Sequence, residues 1–309
     1  MKKIVSKLYD KINSANNEVR LILPEIDPRI LEAKKKLKRL GFRIIEIEQF
    51  QDYKNTFYDN SRKLKFAKNW PRQKLDEYLN EPVNLALNIL KSGHADALVA
   101  GAVLSTSEIA RNSLRIIGLS KSSNCLSSSF LMISPNQNKV FSYADCAIIP
   151  EPSESQLADI AYSTALNHEL LTTERPKVAF LSFSTNSSAD HYRVKKVKKA
   201  IEIFSNKYPG ILHENCEVQF DAAINSDIAE KKYSKSVLRG DANVLIYPNL
   251  DAGNIAYKIT ERIGMYDAIG PLLQGLKFSI HDLSRGCKVN DIVDISIIAA
   301  YQGMLNANV

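Results

Sequence analysis

Cysteine is scarce in this chain of 309 residues, and its four positions, 125, 146, 216 and 287, lie far apart. No two of them form a CxxC pair. That spacing argues against a thiolate zinc site and a disulfide framework, and it fits a reducing cytosol. Long apolar runs are missing as well. No stretch of about 18 apolar residues exists, so no membrane-spanning helix is predicted. The opening MKKIVSKLYDKI is basic, but Lys7, Asp10 and Lys11 interrupt any signal-like apolar core. There is no internal repeat or low-complexity segment, and no nucleic-acid motif that interleaves aromatic with basic residues.

What the chain does carry is positive charge, formally +7, together with 45% hydrophobic residues. Its length is comfortable for two cores. A basic balance suits anionic partners: nucleic acid, a membrane surface or small phosphorylated ligands. The basic residues cluster in EAKKKLKRLG (32–41) and RVKKVKKA (193–200). Leu31, Leu37 and Leu40 give the first cluster an apolar face, and Val194, Val197 and Ile201 give one to the second. Both therefore read as exposed faces of amphipathic helices before they read as binding patches, and neither nucleic acid nor membrane is expected as a partner.

Strand and helix patterns alternate, which predicts an α/β fold with a largely parallel sheet. VRLILPEI (19–26) reads as a strand; Asp27 then caps a helix with Pro28 at its first position, and Gly41 stops it. RIIEIE (43–48) alternates as a second strand, and ADALVAGA (95–102) is apolar enough for a strand buried on both faces. Further strands are expected at 128–134, 140–149, 177–184, 217–224, 243–248 and 275–280. Helices are expected after Pro71 and at 106–117, 153–173, 189–207, 252–264 and 288–305. The serine-rich GLSKSSNCLSSS (118–129) marks a soft boundary, and nothing comparable sets off the C-terminal segment. The expected lobes are thus 1–123 with 273–309, and 124–272, with a cleft between them.

Strand ends that feed helix starts are natural anion sites, because free backbone N–H groups and the helix dipole point there. Three junctions stand out. In AGAVLSTSEIAR (100–111), Gly101 permits a tight turn, Ser105, Thr106 and Ser107 offer hydroxyls, and Arg111 lies one turn into the helix. LSFSTNSSAD (181–190) is also hydroxyl-rich. HDLSRGCKVNDIV (281–293) places Ser284, Arg285 and Asp291 around one helix start. Each has a bland explanation: serine and threonine there are most often plain N-caps, and a carboxylate in the first turn offsets the dipole. Spacing alone does not choose between the two.

Ordered motifs do more. NLDAGNIAYKI (249–259), AIGPLLQGL (268–276) and DLSRGCKVNDIV (282–293) resemble the phosphate acetyltransferase and phosphate butyryltransferase family. Agreement extends upstream through LVAGAVLSTSEIAR, ADCAIIPEPSESQLADIA, VAFLSFST and VQFDAAI, over roughly residues 90–305. FYDNSRKLK (57–65) looks like the family's arginine-bearing N-terminal motif. The resemblance implies two α/β lobes similar to the isocitrate/isopropylmalate dehydrogenase-like fold, and transfer of an acyl group between acyl phosphate and the thiol of coenzyme A. It implies that Ser284 hydrogen-bonds the coenzyme A sulfur and that Asp291 takes the thiol proton. Arg285, with Arg111 and Arg62, would handle phosphate or transition-state charge, and Ser105, Thr106 and Ser107 would bind the phosphoryl end. Acetyl is the default acyl group.

The chemistry suits these residue types. Thiolate, not thiol, attacks a carbonyl, so a carboxylate base is useful. The acyl oxygen gains charge that a guanidinium can meet. Acyl phosphate is already activated, so no metal, no tightly bound cofactor and no covalent nucleophile at Cys287 is needed; coenzyme A is a substrate. Where the family continues from LKRLGFRIIEIE to FYDNSRKLK, this chain is shorter by about a strand–helix unit. A family glycine after Lys65 is replaced by FAKNWP, and another appears as Ser187. Helix 288–305, apolar nearly all round, must be buried in a lobe or between chains; with the resemblance, it predicts a homodimer with this region near a two-fold axis. Competing readings are a phosphate butyryltransferase, a dehydrogenase of related two-lobed fold, an acyl-CoA-sensing domain without turnover and a nucleic-acid binder. The dehydrogenase would need clustered metal-binding aspartates and a nicotinamide site, and the sequence displays neither.

Overall fold

The computed structural model describes residues 1–15 and 18–306; residues 16–17 and 307–309 of the expected first lobe lie outside the described residues. Contacts divide the chain into one unit of Met1–Lys121 with Leu276–Val309, and another of Ser122–Gly275. The first unit opens with α1 (Lys3–Ser14), β1 (Arg20–Ile22), α2 (Pro28–Arg39), β2 (Arg43–Ile44), α3 (Lys54–Arg62), α4 (Arg72–Asn80), α5 (Pro82–Lys91), β3 (Ala97–Ala100) and α6 (Thr106–Ile116). The second holds β4 (Ser127–Ile133), β5 (Val140–Ala144), α7 (Glu154–Thr172), β6 (Lys177–Phe180), α8 (Tyr192–Lys207), β7 (Leu212–His213), α9 (Phe220–Ile224), α10 (Ser226–Lys232), β8 (Val244–Ile246), α11 (Leu250–Arg262) and β9 (Asp267–Gln274). The chain then returns to the first unit with β10 (Ser279–Asp282) and α12 (Val289–Asn306).

In the first unit four parallel strands lie in the order β10-β3-β1-β2. Central β3 is buried at every residue, as its unbroken apolar run requires. Asp27 caps α2 by accepting the Arg29 amide at 2.7 Å, with Pro28 at the first helical position. Helix α12 packs against α1, α2, β3 and β10 of its own unit. Ile292, Ile297, Ile298, Ala299 and Ala300 are fully covered there. Its apolar character is thus accounted for inside one unit and no longer argues for an interface between chains.

In the second unit six strands run β7-β6-β8-β5-β4-β9. The first four are parallel, while β4 is antiparallel to both β5 and β9. The short turn after β4, closed by the Ser134 amide on Lys139 O at 2.9 Å, permits only an antiparallel return. The strand expected at 217–224 is not formed. Val218 makes a single bridge to Leu181, and Phe220–Ile224 turn into α9, burying Ala222 and Ala223. The run expected as one strand at 275–280 is instead the connection that follows β9, and only Ser279 and Ile280 belong to β10. Gly270 and Pro271 read as breakers in sequence, but β9 is an edge strand, where a missing N–H is tolerated.

Candidate active site

β3 and β10 pair in register, Ala100 opposite Asp282, so the loops that leave their carboxyl ends lie side by side. The Leu283 amide donates to Ala100 O at 2.8 Å and ties the two loop starts together. Gly101 follows β3 with φ +108°, and a Cβ there would sit 2.1 Å from Asp282 Oδ1, so only glycine fits. The amides of the next residues curl around the buried Glu25 carboxylate. Gly101 and Ala102 donate to its Oε2 at 2.8 Å each, Val103 and Leu104 to its Oε1 at 3.1 and 3.0 Å. An amide nest of this shape is an anion site, and here an internal carboxylate fills it.

The three hydroxyls that follow are all engaged. Ser105 caps α6 in a capping box with Glu108: its amide donates to Glu108 Oε2 at 3.0 Å and its Oγ accepts the Glu108 amide at 3.4 Å. For Ser105 the plain cap is therefore realised. Ser107 Oγ lies 3.0 Å from Ser105 Oγ. Thr106 donates its hydroxyl to Asp282 Oδ2. Arg111 is exposed farther along α6.

On the second loop Ser284, Arg285 and Gly286 are exposed, and a turn closes with the Cys287 amide on Ser284 O at 2.9 Å. Asp291 is half-buried in the first turn of α12, and its Oδ2 accepts the Lys288 amide at 2.9 Å. The carboxylate thus caps the helix through one of its two oxygens. Arg29 clamps this loop. Its Nη1 donates to Arg285 O at 2.7 Å and Cys287 O at 3.0 Å, its Nη2 to Ala102 O at 3.1 Å, and its remaining N–H groups hold Asp27. All five guanidinium hydrogens are used, which only arginine's planar fork allows. The pairing with Arg29 holds the Asp27 carboxyl below its ordinary range. Burial raises the Cys287 thiol, which leaves it protonated and a poor nucleophile.

Ser105, Thr106, Ser107, Ser284, Arg285 and Asp291 therefore share one end of one parallel sheet. Arg62 stands apart: it is exposed at the end of α3, where it donates to Tyr58 Oη of the same helix at 3.4 Å. The hydroxyl-rich junction after β6 is internally satisfied. Ser184 Oγ and the Ser187 amide both donate to buried Glu217, at 2.8 and 2.6 Å, and His191, not a serine, caps α8. Sequence reasoning missed Glu25, Arg29 and Asp282. The available signal was a carboxylate set close after an apolar strand, at Glu25, and one at the end of another, at Asp282; Arg29, inside α2, carried none. Among the described residues no group of three or more His, Cys, Asp or Glu is placed to hold a metal ion.

A parallel sheet whose carboxyl end gathers hydroxyl, guanidinium and carboxylate groups has the chemistry that group transfer to or from anionic substrates requires. Residues 11–300 match the family described as "Phosphate acetyl/butaryl transferase", and the chain belongs to that family. It is 40% identical over 259 residues to the phosphate acetyltransferase of Acetivibrio thermocellus, covering 82% of this chain and 76% of that one. It is 36% identical over 334 aligned positions to the phosphate acetyltransferase of Bacillus subtilis, covering 98% and 100%. A phosphotransacetylase structure from Streptococcus pyogenes superposes with a TM-score of 0.87 at 32% identity, over 97% of this chain and 99% of that one. These relatives carry the acetyl name, so the butyryl and sensing alternatives are not favoured.

Proposed function

We propose that the chain transfers an acetyl group reversibly between acetyl phosphate and coenzyme A by direct attack of the thiolate, with the two loops at the end of β3 and β10 as its active site. Asp291 takes the thiol proton. The sulfur forms its bond to the acyl carbon, the carbon–oxygen bond to phosphate breaks, and inorganic phosphate leaves with the electron pair. Arg285 meets the charge that develops on the acyl oxygen, and Ser284 orients the sulfur. Ser105, Thr106 and Ser107 with the α6 N-terminus receive the phosphoryl end, while Arg111 holds phosphate charge; Arg62, apart from these loops, is given no role in them. The observation that carries this reading is the exposure of Ser284 and Arg285 on a loop whose backbone Arg29 holds rigidly beside the α6 start. No tightly bound cofactor takes part; coenzyme A and acetyl phosphate are the partners, in the cytoplasm.

A homodimer is part of the proposal, with α11 as its contact. Ile255, Ile259 and Ile263 recur every four residues along one face, and with Met265 they are 52–79% exposed. Such a stripe calls for a partner surface. The test of function is an acyl-phosphate panel with initial rates, following loss of the coenzyme A thiol. Acetyl phosphate is expected to give the highest kcat/KM; no thiol loss with any acyl phosphate overturns the proposal.

A further inference from the structure

We propose that Asp282 is a positioning residue for the acyl transfer, a buried strut whose carboxyl locks the hydroxyl loop after β3 onto the strand end that delivers Ser284 and Arg285. The inference rests on the site assignment above and deepens it. Asp282 has no exposed surface. Its Oδ2 takes the Thr106 hydroxyl, the first side chain of α6, and its Oδ1 is packed against Gly101 with no hydrogen-bond partner. Two residues farther on stands Ser284. One side chain thus touches both the start and the end of the loop 101–106 while belonging to the strand that feeds the other loop.

The chemistry of the spot explains why an acid sits there. Glu25 already supplies the negative charge that the four loop amides need, and it faces Asp282 across Gly101. A second carboxylate so close would be repelled, and a buried charged oxygen without a partner is costly. Protonation eases both difficulties in part, and Oδ2 still accepts the Thr106 hydroxyl. Consistent with this, burial, with the Glu25 charge adding to it, pushes the Asp282 carboxyl up to about 7. The strut works through shape and one hydrogen bond. The uncharged isostere, asparagine, should therefore replace it better than alanine.

The test is a kinetic cycle on the full chain with Asp282→Ala, Asp282→Asn, Thr106→Val and the Thr106→Val double variants, read beside melting curves. Displacing a loop by about 1 Å costs on the order of 100-fold in turnover. Asp282→Ala is expected to lower kcat by about 10–100-fold with KM for coenzyme A within about twofold. Asp282→Asn should recover most of that loss, and the double variant should be no worse than the worse single one. Turnover within about twofold in Asp282→Ala, or asparagine as poor as alanine, or losses that simply multiply, overturns the strut. If Asp282→Ala does not fold, Asp282→Leu, of similar volume but without an acceptor, takes its place in the cycle with Thr106→Val: independent losses overturn the strut, coupled ones support it. Arg285→Lys separates this from the site assignment. Full turnover in that variant overturns the assignment itself, whereas its loss beside a fully active Asp282→Ala overturns the strut alone.

Discussion

Asp291 has one observed role, the cap, and one proposed role, the base, and a single substitution separates them. Its Oδ2 accepts the Lys288 amide, which is a cap. Asp291→Asn keeps the size and can keep the cap, so a purely structural role predicts a near-normal rate. As the base, the carboxylate is irreplaceable by an amide, and turnover at neutral pH should fall by roughly 10²–10⁴-fold. Part of the loss should return as pH approaches the thiol's own pKa of about 8.5, because the thiolate then forms unaided. Coenzyme A binding by calorimetry should change little. A rate at pH 7 equal to the parent's would leave only the cap. Arg285→Lys tests the neighbouring group: lysine's point charge cannot reproduce the guanidinium fork, and turnover should drop by about 10²-fold or more with the melting curve unchanged. A third substitution concerns stability. Ser187 adopts φ +64°. A left-handed conformation is strained for a residue with a Cβ, so Ser187→Gly should stabilise by up to about 1 kcal/mol in urea unfolding. The loss of the Lys198 bond to Ser187 Oγ, exposed at 2.8 Å, subtracts little.

At the scale of elements, what could be read in advance followed from one-dimensional signals. The capped start Asp27–Pro28, the apolar run of β3 and the long helices α7, α8, α11 and α12 all announce themselves by period or punctuation. Strand β9 does not, because Gly270 and Pro271 break its pattern and only its edge position permits them. Helix α9 does not either, since VQFDAAI alternates like a strand and becomes helical after one bridged residue. The loops of the candidate site divide in the same way. Ser284, Arg285 and Asp291 were visible as a cluster in sequence, whereas Glu25, Arg29 and Asp282 act on residues about 76, 256 and 176 positions away, which no local pattern encodes. Element packing makes its own demand at Gly303. A Cβ there would lie 2.3 Å from Asp96 O, at the start of β3. Gly303→Ala should improve helix propensity yet still destabilise by about 1–3 kcal/mol, because α12 must move off the sheet. A midpoint in urea equal to or above the parent's would show that the contact is not tight.

Over the whole molecule, two properties depend on how elements combine. The first is acid stability. His168 is fully buried against Ser142, and burial holds its pKa down to about 4. Its folded pKa lies below the ordinary 6.5, so the stability it supports is present above about 6.5 and is lost as pH falls toward about 4. Between pH 7 and 5 this one group costs about 2 kcal/mol, and His168→Gln should flatten the fall in melting temperature over that interval. The second is assembly. Stable homodimers bury at least about 1,200 Å² in total, and a single apolar helix face pairing with its own copy is the right kind of core for such an interface. Along α11 and at its C-cap the exposed isoleucines are Ile255, Ile259 and Ile263, flanked by charged Lys258, Glu261 and Arg262. In a two-fold arrangement each isoleucine meets the same stripe on the partner, and a carboxylate placed there would be buried without a counterion. For the proposed dimer, the parent is expected to scatter with a dimer mass, and Ile259→Glu with Ile263→Glu to lower it to a monomer mass at micromolar concentration. The α12 core is untouched by these changes, so the melting transition should stay cooperative. A parent that already scatters as a monomer, or a double variant that remains a dimer, would move the contact away from α11.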